Sequence, residues 1–223
     1  MTVRFAVRAV LFDLDGTLAD TAPDLGGAVN RMRERRGMKA LALDVLRPVA
    51  SSGARGMLGV GFDVTPETAG YEALRDEFLA EYESALDRDS RLFDGIDDCL
   101  AAIQTRGLRW GIVTNKAERF TNPVVAGLGL ASRAAVVIAG DTTSHAKPHP
   151  APLLEACKRL NIAAHHAVYV GDDLRDMQAA RAAGMPCVAA AYGYLGGTPD
   201  IHAWKPDAVI STPAELPDLL RTV

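Results

Sequence analysis

The stretch Val7-Arg8-Ala9-Val10-Leu11-Phe12-Asp13-Leu14-Asp15-Gly16-Thr17-Leu18 decides how this 223-residue chain is read. Val7 to Phe12 is a short β-rich run that ends on an acid. Apolar runs of this kind belong to strands buried on both faces, as in a parallel sheet covered by helices. In such a sheet ligands bind beyond the carboxyl ends of the strands, so Asp13 projects into the crevice where a site would form. Two carboxylates at i and i+2, with Gly16 permitting a sharp turn, suit one acid that attacks and one that moves protons. A solvated Asp-Gly turn would account for Asp15 and Gly16, but not for the acid at the strand end.

Outward from this stretch, similar runs occur at Leu108 to Val113, Ala135 to Ala139, Ala167 to Val170, Pro186 to Ala190 and Asp207 to Ile210. Helical patterns at Asp97 to Arg106, Pro150 to Leu160 and Leu174 to Ala183 separate them. The expected fold class is α/β, with a Rossmann-like parallel sheet as its core. From Ala19 to Arg91 the alternation stops and only helical patterns remain: Pro23 to Arg36, Leu43 to Pro48, Ala54 to Phe62 and Tyr71 to Leu86. In the last of these Leu74, Phe78 and Tyr82 recur every four residues, the spacing of an amphipathic helix. The expected organisation is a catalytic core of residues 1–18 and 92–223 with a helical subdomain, 19–91, inserted after the first strand.

Charged residues make up 23% of the chain and hydrophobic residues 48%, with a formal net charge of -4. These values suit a soluble globular protein. They provide no broad basic surface, so neither nucleic acid nor an anionic membrane is expected as a partner. No apolar stretch approaches the roughly 20 residues needed to span a bilayer. Cys99, Cys157 and Cys187 are odd in number and widely spaced, and read as buried thiols of a reducing compartment. The first strand begins too early for a signal peptide, so a cytoplasmic location is expected. No oligomeric state is indicated.

Three further motifs end predicted strands. In Val113-Thr114-Asn115-Lys116, the Thr114 hydroxyl and the N–H groups after it suit a phosphate oxygen, although Thr114 or Asn115 would equally cap a helix. In His145-Ala146-Lys147-Pro148-His149-Pro150, two prolines restrict the backbone around a lysine, whose charge would neutralise a carboxylate and a phosphate held close together. In Gly171-Asp172-Asp173-Leu174-Arg175-Asp176, hard oxygen ligands at a strand end suit Mg²⁺, and Asp172 or Asp173 would also serve as helix caps. Four motifs at four strand ends of one sheet converge on one crevice. Neither G-x-x-x-x-G-K-[ST] nor G-x-G-x-x-G occurs, which removes the usual support for nucleoside triphosphate or dinucleotide binding.

Together these residues resemble the haloacid dehalogenase superfamily, whose four motifs are matched in order by Asp13 to Thr17, Thr114, Lys147 and Gly171 to Asp176. Asp15 aligns the chain with the phosphatase and phosphomutase branches. The resemblance implies a Mg²⁺-dependent phosphomonoesterase of a small-molecule phosphate ester. Asp13 attacks phosphorus, and Asp15 protonates the leaving oxygen and then activates water against the aspartyl-phosphate. Thr114, Asn115 and Lys147 hold the phosphoryl group. Mg²⁺ is bound by Asp13, the Asp15 carbonyl and Asp172, with Asp173 and Asp176 as supporting acids.

The helical insertion is similar to the family's cap. Within it the Ser51-Ser52-Gly53-Ala54-Arg55-Gly56 turn is the expected substrate reader, contributing Ser52 and Gly53, with Arg55 gripping a carboxylate or a sugar oxygen, although Arg55 would equally serve as a solvated helix residue. Ser52 to Arg55, Trp110 to Lys116, Val170 to Asp176 and Tyr192-Gly193-Tyr194 look most like a subgroup containing phosphoglycolate phosphatases and N-acetylmuramic acid 6-phosphate phosphatases. Both substrates carry a carboxylate. A sugar phosphomutase is the nearest alternative. A binding or regulatory protein without turnover is a more distant one, disfavoured by the intact Asp13, Asp15, Lys147 and Asp172.

Overall fold

The structure, a computed structural model, describes residues 5–197 and 200–223. The first expected strand is split by a bend at Arg8 into β1 (Phe5–Val7) and β2 (Ala9–Phe12). A two-residue strand, β3 (Ala19–Asp20), leads into α1 (Ala22–Arg35), α2 (Leu43–Leu46), α3 (Gly53–Phe62) and α4 (Tyr71–Glu83), and the chain returns through β4 (Arg91–Leu92). The remaining elements are α5 (Ile96–Thr105), β5 (Arg109–Val113), α6 (Glu118–Gly127), β6 (Val137–Ile138), α7 (Ala151–Leu160), β7 (Ala167–Gly171), α8 (Leu174–Ala182), β8 (Cys187–Ala190), β9 (Ala208–Ile210) and β10 (Leu220–Thr222).

Six strands form a parallel sheet in the order β6-β5-β2-β7-β8-β9. β2 lies inside it, with Phe12 opposite both Ile112 and Val170. The succession of strands runs one way from β2 through β5 and the other way through β7, so the crevice of the topological switch opens at the end of β2. Alternate residues of β2 face opposite sides. Val10 and Phe12 pack with Leu100 and Ile103 of α5, whereas Leu11 packs with Leu153 of α7 and Met177 of α8. That period of two explains why the strand carries no polar alternation: both faces are covered.

The segment from α1 to α4 has its own apolar cluster, in which Val29 and Met32, Met57 and Leu58, and Phe78 and Tyr82 come from three helices. Phe120 of α6 and Tyr194 join it from outside the segment. Ala19 pairs with Leu92 and Asp20 with Arg91, antiparallel, where the chain enters and leaves the helices. Among the described residues no helix is long and apolar enough to cross a membrane.

Helix α6 was not singled out by sequence pattern. It contains Pro123, which lacks an N–H and ordinarily marks a helix boundary. Burial of Phe120, Val124 and Val125 holds the helix in place despite the missing bond.

Candidate active site

Asp13 follows β2 directly. Its N–H donates to the Val170 carbonyl at 2.9 Å, and the Leu14 N–H donates to its carboxylate at 2.7 Å. Beneath it lies Asp172, wholly buried, which accepts from the Thr17 hydroxyl at 2.8 Å and the Tyr194 N–H at 2.9 Å. Two glycines make room for this acid. A Cβ on Gly16, where φ is +85°, would stand 2.2 Å from an Asp172 oxygen, and one on Gly193 would stand 2.3 Å from the Asp172 Cβ.

Lys147 is buried with its Nζ 3.0 Å from Asp13 and 2.7 Å from Asp176, and it also donates to the Tyr169 hydroxyl at 2.7 Å. The loop bearing it is clasped by Asn115, whose side-chain amide donates to the Lys147 carbonyl and accepts from the Lys147 N–H, each at 2.9 Å. Asn115 therefore lines the cleft while its amide positions the lysine. Burial works against the Lys147 ammonium, but the Asp13 and Asp176 carboxylates outweigh it and hold the pKa above its usual value. Thr114 is buried at the end of β5, with its N–H donating to the Ile138 carbonyl.

Asp13, Asp172 and Asp176 each place a carboxylate oxygen within 4.8 Å of the others. Burial is the main force pushing the Asp13 carboxyl up to about 7, with Lys147 pulling against it and Asp176 and Asp15 adding to the rise. Burial, then repulsion from Asp13 and Asp176, holds Asp172 well above the carboxylate range. Lys147 ion-pairs with only two of these three acids. A hard dication balances such a set of oxygen donors, and Mg²⁺ fits the chemistry. Asp173 has a different place: as N-cap of α8 it accepts from the Arg175 N–H at 2.9 Å and pairs with the Arg175 guanidinium at 2.8 Å.

The Asp15 side chain turns away from the acid cluster. Its Oδ1 is 2.7 Å from the Lys116 Nζ and also accepts from the Thr21 hydroxyl. Burial opposes the Lys116 charge, but Asp15 and Tyr82 hold its pKa above normal. Lys116 had no assigned role in the sequence reading, although it stands in the same run as Thr114. Tyr169 was also missed, because a tyrosine within a buried strand reads as core.

A cleft of about 340 Å³ separates these strand ends from the helical segment. Leu25, Phe78, Leu79 and Tyr82 line it from the helices, Ala117, Arg119 and Phe120 from α6 and the turn before it, and Ser51 to Ala54 from the expected reader turn. Ser52 and Gly53 therefore line the cleft. Arg55 does not. The buried face of α3 is set by Met57, Leu58 and Gly61, and Arg55 falls off that face into solvent, outside the cleft lining. The arginines at the cleft are Arg119 and Arg175.

The sequence model described as haloacid dehalogenase-like hydrolase matches residues 10–190. The chain is 49% identical over 209 residues to a phosphoglycolate phosphatase of Xanthomonas campestris pv. campestris (strain 8004), covering 94% of each protein. It is 44% identical over 210 residues to an N-acetylmuramic acid 6-phosphate phosphatase of Pseudomonas putida, again covering 94% of each. The crystal structure of a predicted phosphoglycolate phosphatase from Haemophilus somnus 129pt superposes with a TM-score of 0.83 at 25% identity, covering 96% of this chain and 97% of that one. The chain belongs to the haloacid dehalogenase-like hydrolase family, on its phosphatase branch. As an enzyme it is a phosphoric monoester hydrolase.

Proposed function

We propose that the chain is a Mg²⁺-dependent phosphatase of a small carboxylated phosphate ester, such as 2-phosphoglycolate or N-acetylmuramic acid 6-phosphate, acting through an aspartyl-phosphate on Asp13. The observation that carries this reading is the setting of Asp13: a strand-end carboxylate between Lys147 and two further buried acids, with Asp15 two residues on. A buried nucleophile beside a fixed cation suits phosphoryl transfer, which needs positioning and charge neutralisation more than elaborate covalent chemistry.

In the first half-reaction an Asp13 oxygen forms a bond to phosphorus as the ester oxygen leaves with a proton from Asp15. In the second, Asp15 takes a proton from the water that attacks phosphorus, and the Asp13–phosphorus bond breaks to release inorganic phosphate. Both partners of Asp15, Lys116 and Thr21, bond its Oδ1, which leaves Oδ2 for the proton. Lys147, the Thr114 hydroxyl and the N–H groups after β5 hold the phosphoryl oxygens. Asp13, Asp172 and the Asp15 carbonyl would hold the metal, with Asp176 supporting through Lys147. When bound, Mg²⁺ supplies positive charge that draws the anionic ester to an anionic nucleophile. The helical segment, residues 19–91, acts as a cap over the organic half of the substrate.

The test is phosphate release from the two esters by wild type and Asp13→Asn, with Mg²⁺ and with EDTA. Release should require Mg²⁺ and fall at least about a thousandfold in the variant, because an amide is a poor nucleophile. Wild-type rates in Asp13→Asn would overturn the mechanism.

A further inference from the structure

Two arginines line the cleft, and they are not equivalent. The Arg175 guanidinium is engaged by Asp173 and donates to the Ser51 carbonyl at 2.8 Å. Arg119 has no ion pair or side-chain hydrogen bond among the described residues, and its exposed guanidinium lies 4.4 Å from the centre of the Phe120 ring. A cation held against an aromatic face at the edge of a cleft is placed for an anion of the ligand.

Its position relative to the acids sets the kind of ligand. From Asp15 the cleft wall passes to Lys116 at 2.7 Å, then to the Tyr82 ring, 4.9 Å from the Lys116 Nζ. The Phe120 ring follows, 5.4 Å from that of Tyr82, and Arg119 comes last. Two aromatic rings thus stand in succession between the proton-transfer group and the unpaired guanidinium. In 2-phosphoglycolate a single carbon separates the phosphate ester oxygen from the carboxylate, so with phosphorus at Asp13 the carboxylate stays beside the lysines. A carboxylate on the far side of a sugar ring would reach past these rings toward Arg119, along the part of the cleft that Phe78, Tyr82 and Phe120 line. The cavity of about 340 Å³ is within the range of sites that enclose a whole organic ligand.

We infer that Arg119 is the residue that reads the carboxylate, and that the substrate class is a carboxylated amino-sugar phosphate rather than a two-carbon phosphoacid. This rests on the phosphatase reading above. Recognition belongs to α6 in the core as well as to the helical segment, since Arg119 and Phe120 line the cleft together with Phe78 and Leu79.

The experiment compares kcat/KM for N-acetylmuramic acid 6-phosphate, N-acetylglucosamine 6-phosphate and 2-phosphoglycolate in wild type, Arg119→Ala and Arg119→Lys. The first two share the acetylated amino-sugar phosphate and differ in the carboxylated side chain. Wild type should prefer the first to both others. Arg119→Ala should lower the ratio of the first to the second by about tenfold or more, the scale of a lost charged hydrogen bond, and Arg119→Lys should keep part of it. Thermal melting of each variant should stay close to wild type, since the replaced side chain is exposed and makes no ion pair or hydrogen bond among the described residues. An unchanged ratio in Arg119→Ala, or a wild-type preference for 2-phosphoglycolate, would overturn the assignment. If wild type with Mg²⁺ hydrolysed none of the three esters and no aryl phosphate, the phosphatase reading itself would fall and the substrate class with it.

Discussion

The Lys116 ammonium stands 2.7 Å from the Asp15 carboxylate and 4.9 Å from the centre of the Tyr82 ring, so one cation ties a strand-end acid to helix α4. Both charged side chains are nearly dry, 7% and 13% exposed. Removing one partner of a buried pair costs about 3–5 kcal/mol, because the other charge is stranded. Lys116→Met should therefore lower the unfolding free energy by about 3 kcal/mol in urea titrations. The double variant Lys116→Met/Asp15→Asn should lose clearly less than the sum of the single losses.

The acid cluster should make stability depend on pH, and bound Mg²⁺ should work against that dependence. The folded Asp13 carboxyl is raised from 3.8 to about 7 by burial, and Asp172 is raised in the same sense. A raised carboxyl favours the fold while protonated. Its contribution is complete below the unfolded value and is lost as pH rises through the folded one. Metal-free protein should lose this stability between about pH 4 and pH 7, and added Mg²⁺ should raise the melting temperature more at about pH 8 than at about pH 5, since its ligands bind deprotonated. Melting curves with EDTA and with Mg²⁺ across that range provide the check.

Gly193→Ala should damage the proposed metal site without replacing a charged group. The new Cβ would lie 2.3 Å from the Asp172 Cβ and 2.4 Å from the Gly16 carbonyl oxygen, positions that cannot both yield. Misplacing a supported metal ligand typically lowers affinity about 10- to 100-fold, measurable by Mg²⁺ titration of activity. Gly59→Ala is the contrasting case. Its Cβ would meet nothing nearer than the Val64 carbonyl at 3.7 Å, within helix α3, so it should stabilise by about 0.5–1 kcal/mol.

The three cysteines should be silent until the protein unfolds. Burial pushes the Cys99 thiol up to about 12 and those of Cys157 and Cys187 up to about 11. Native protein should show no fast reaction with a thiol reagent near pH 8, and denatured protein should show three equivalents. Because the folded values lie above the ordinary 9.0, the unfolded chain ionises first as pH rises. Melting temperature should therefore decline above about pH 9.

The sheet and the residues on its strand ends were legible because burial on both faces leaves a plain signature: an apolar run that stops on a polar or charged residue, repeated for Asp13, Thr114 and Asp172. Less visible was anything set by contacts across the chain. Pro123 disguised α6, since a proline's cost is local and the burial that offsets it is not. Lys116 and Arg119 look alike in sequence as basic residues near a helix start, yet one is buried against Asp15 and the other is left free at the cleft edge. Arg55 stands in a turn of small residues, but the first turn of α3 rotates it outward while Ser52 and Gly53 stay at the cleft.

The short pairing of β3 with β4 has a bearing on how such a protein changes over generations. Ala19 lies opposite Leu92 and Asp20 opposite Arg91, so the chain departs and comes back through one doorway two residues wide. A different insertion whose ends meet at that spacing could occupy the opening without re-laying a strand of the sheet. The phosphate chemistry can then be inherited intact while the enclosing wall is exchanged as a cassette.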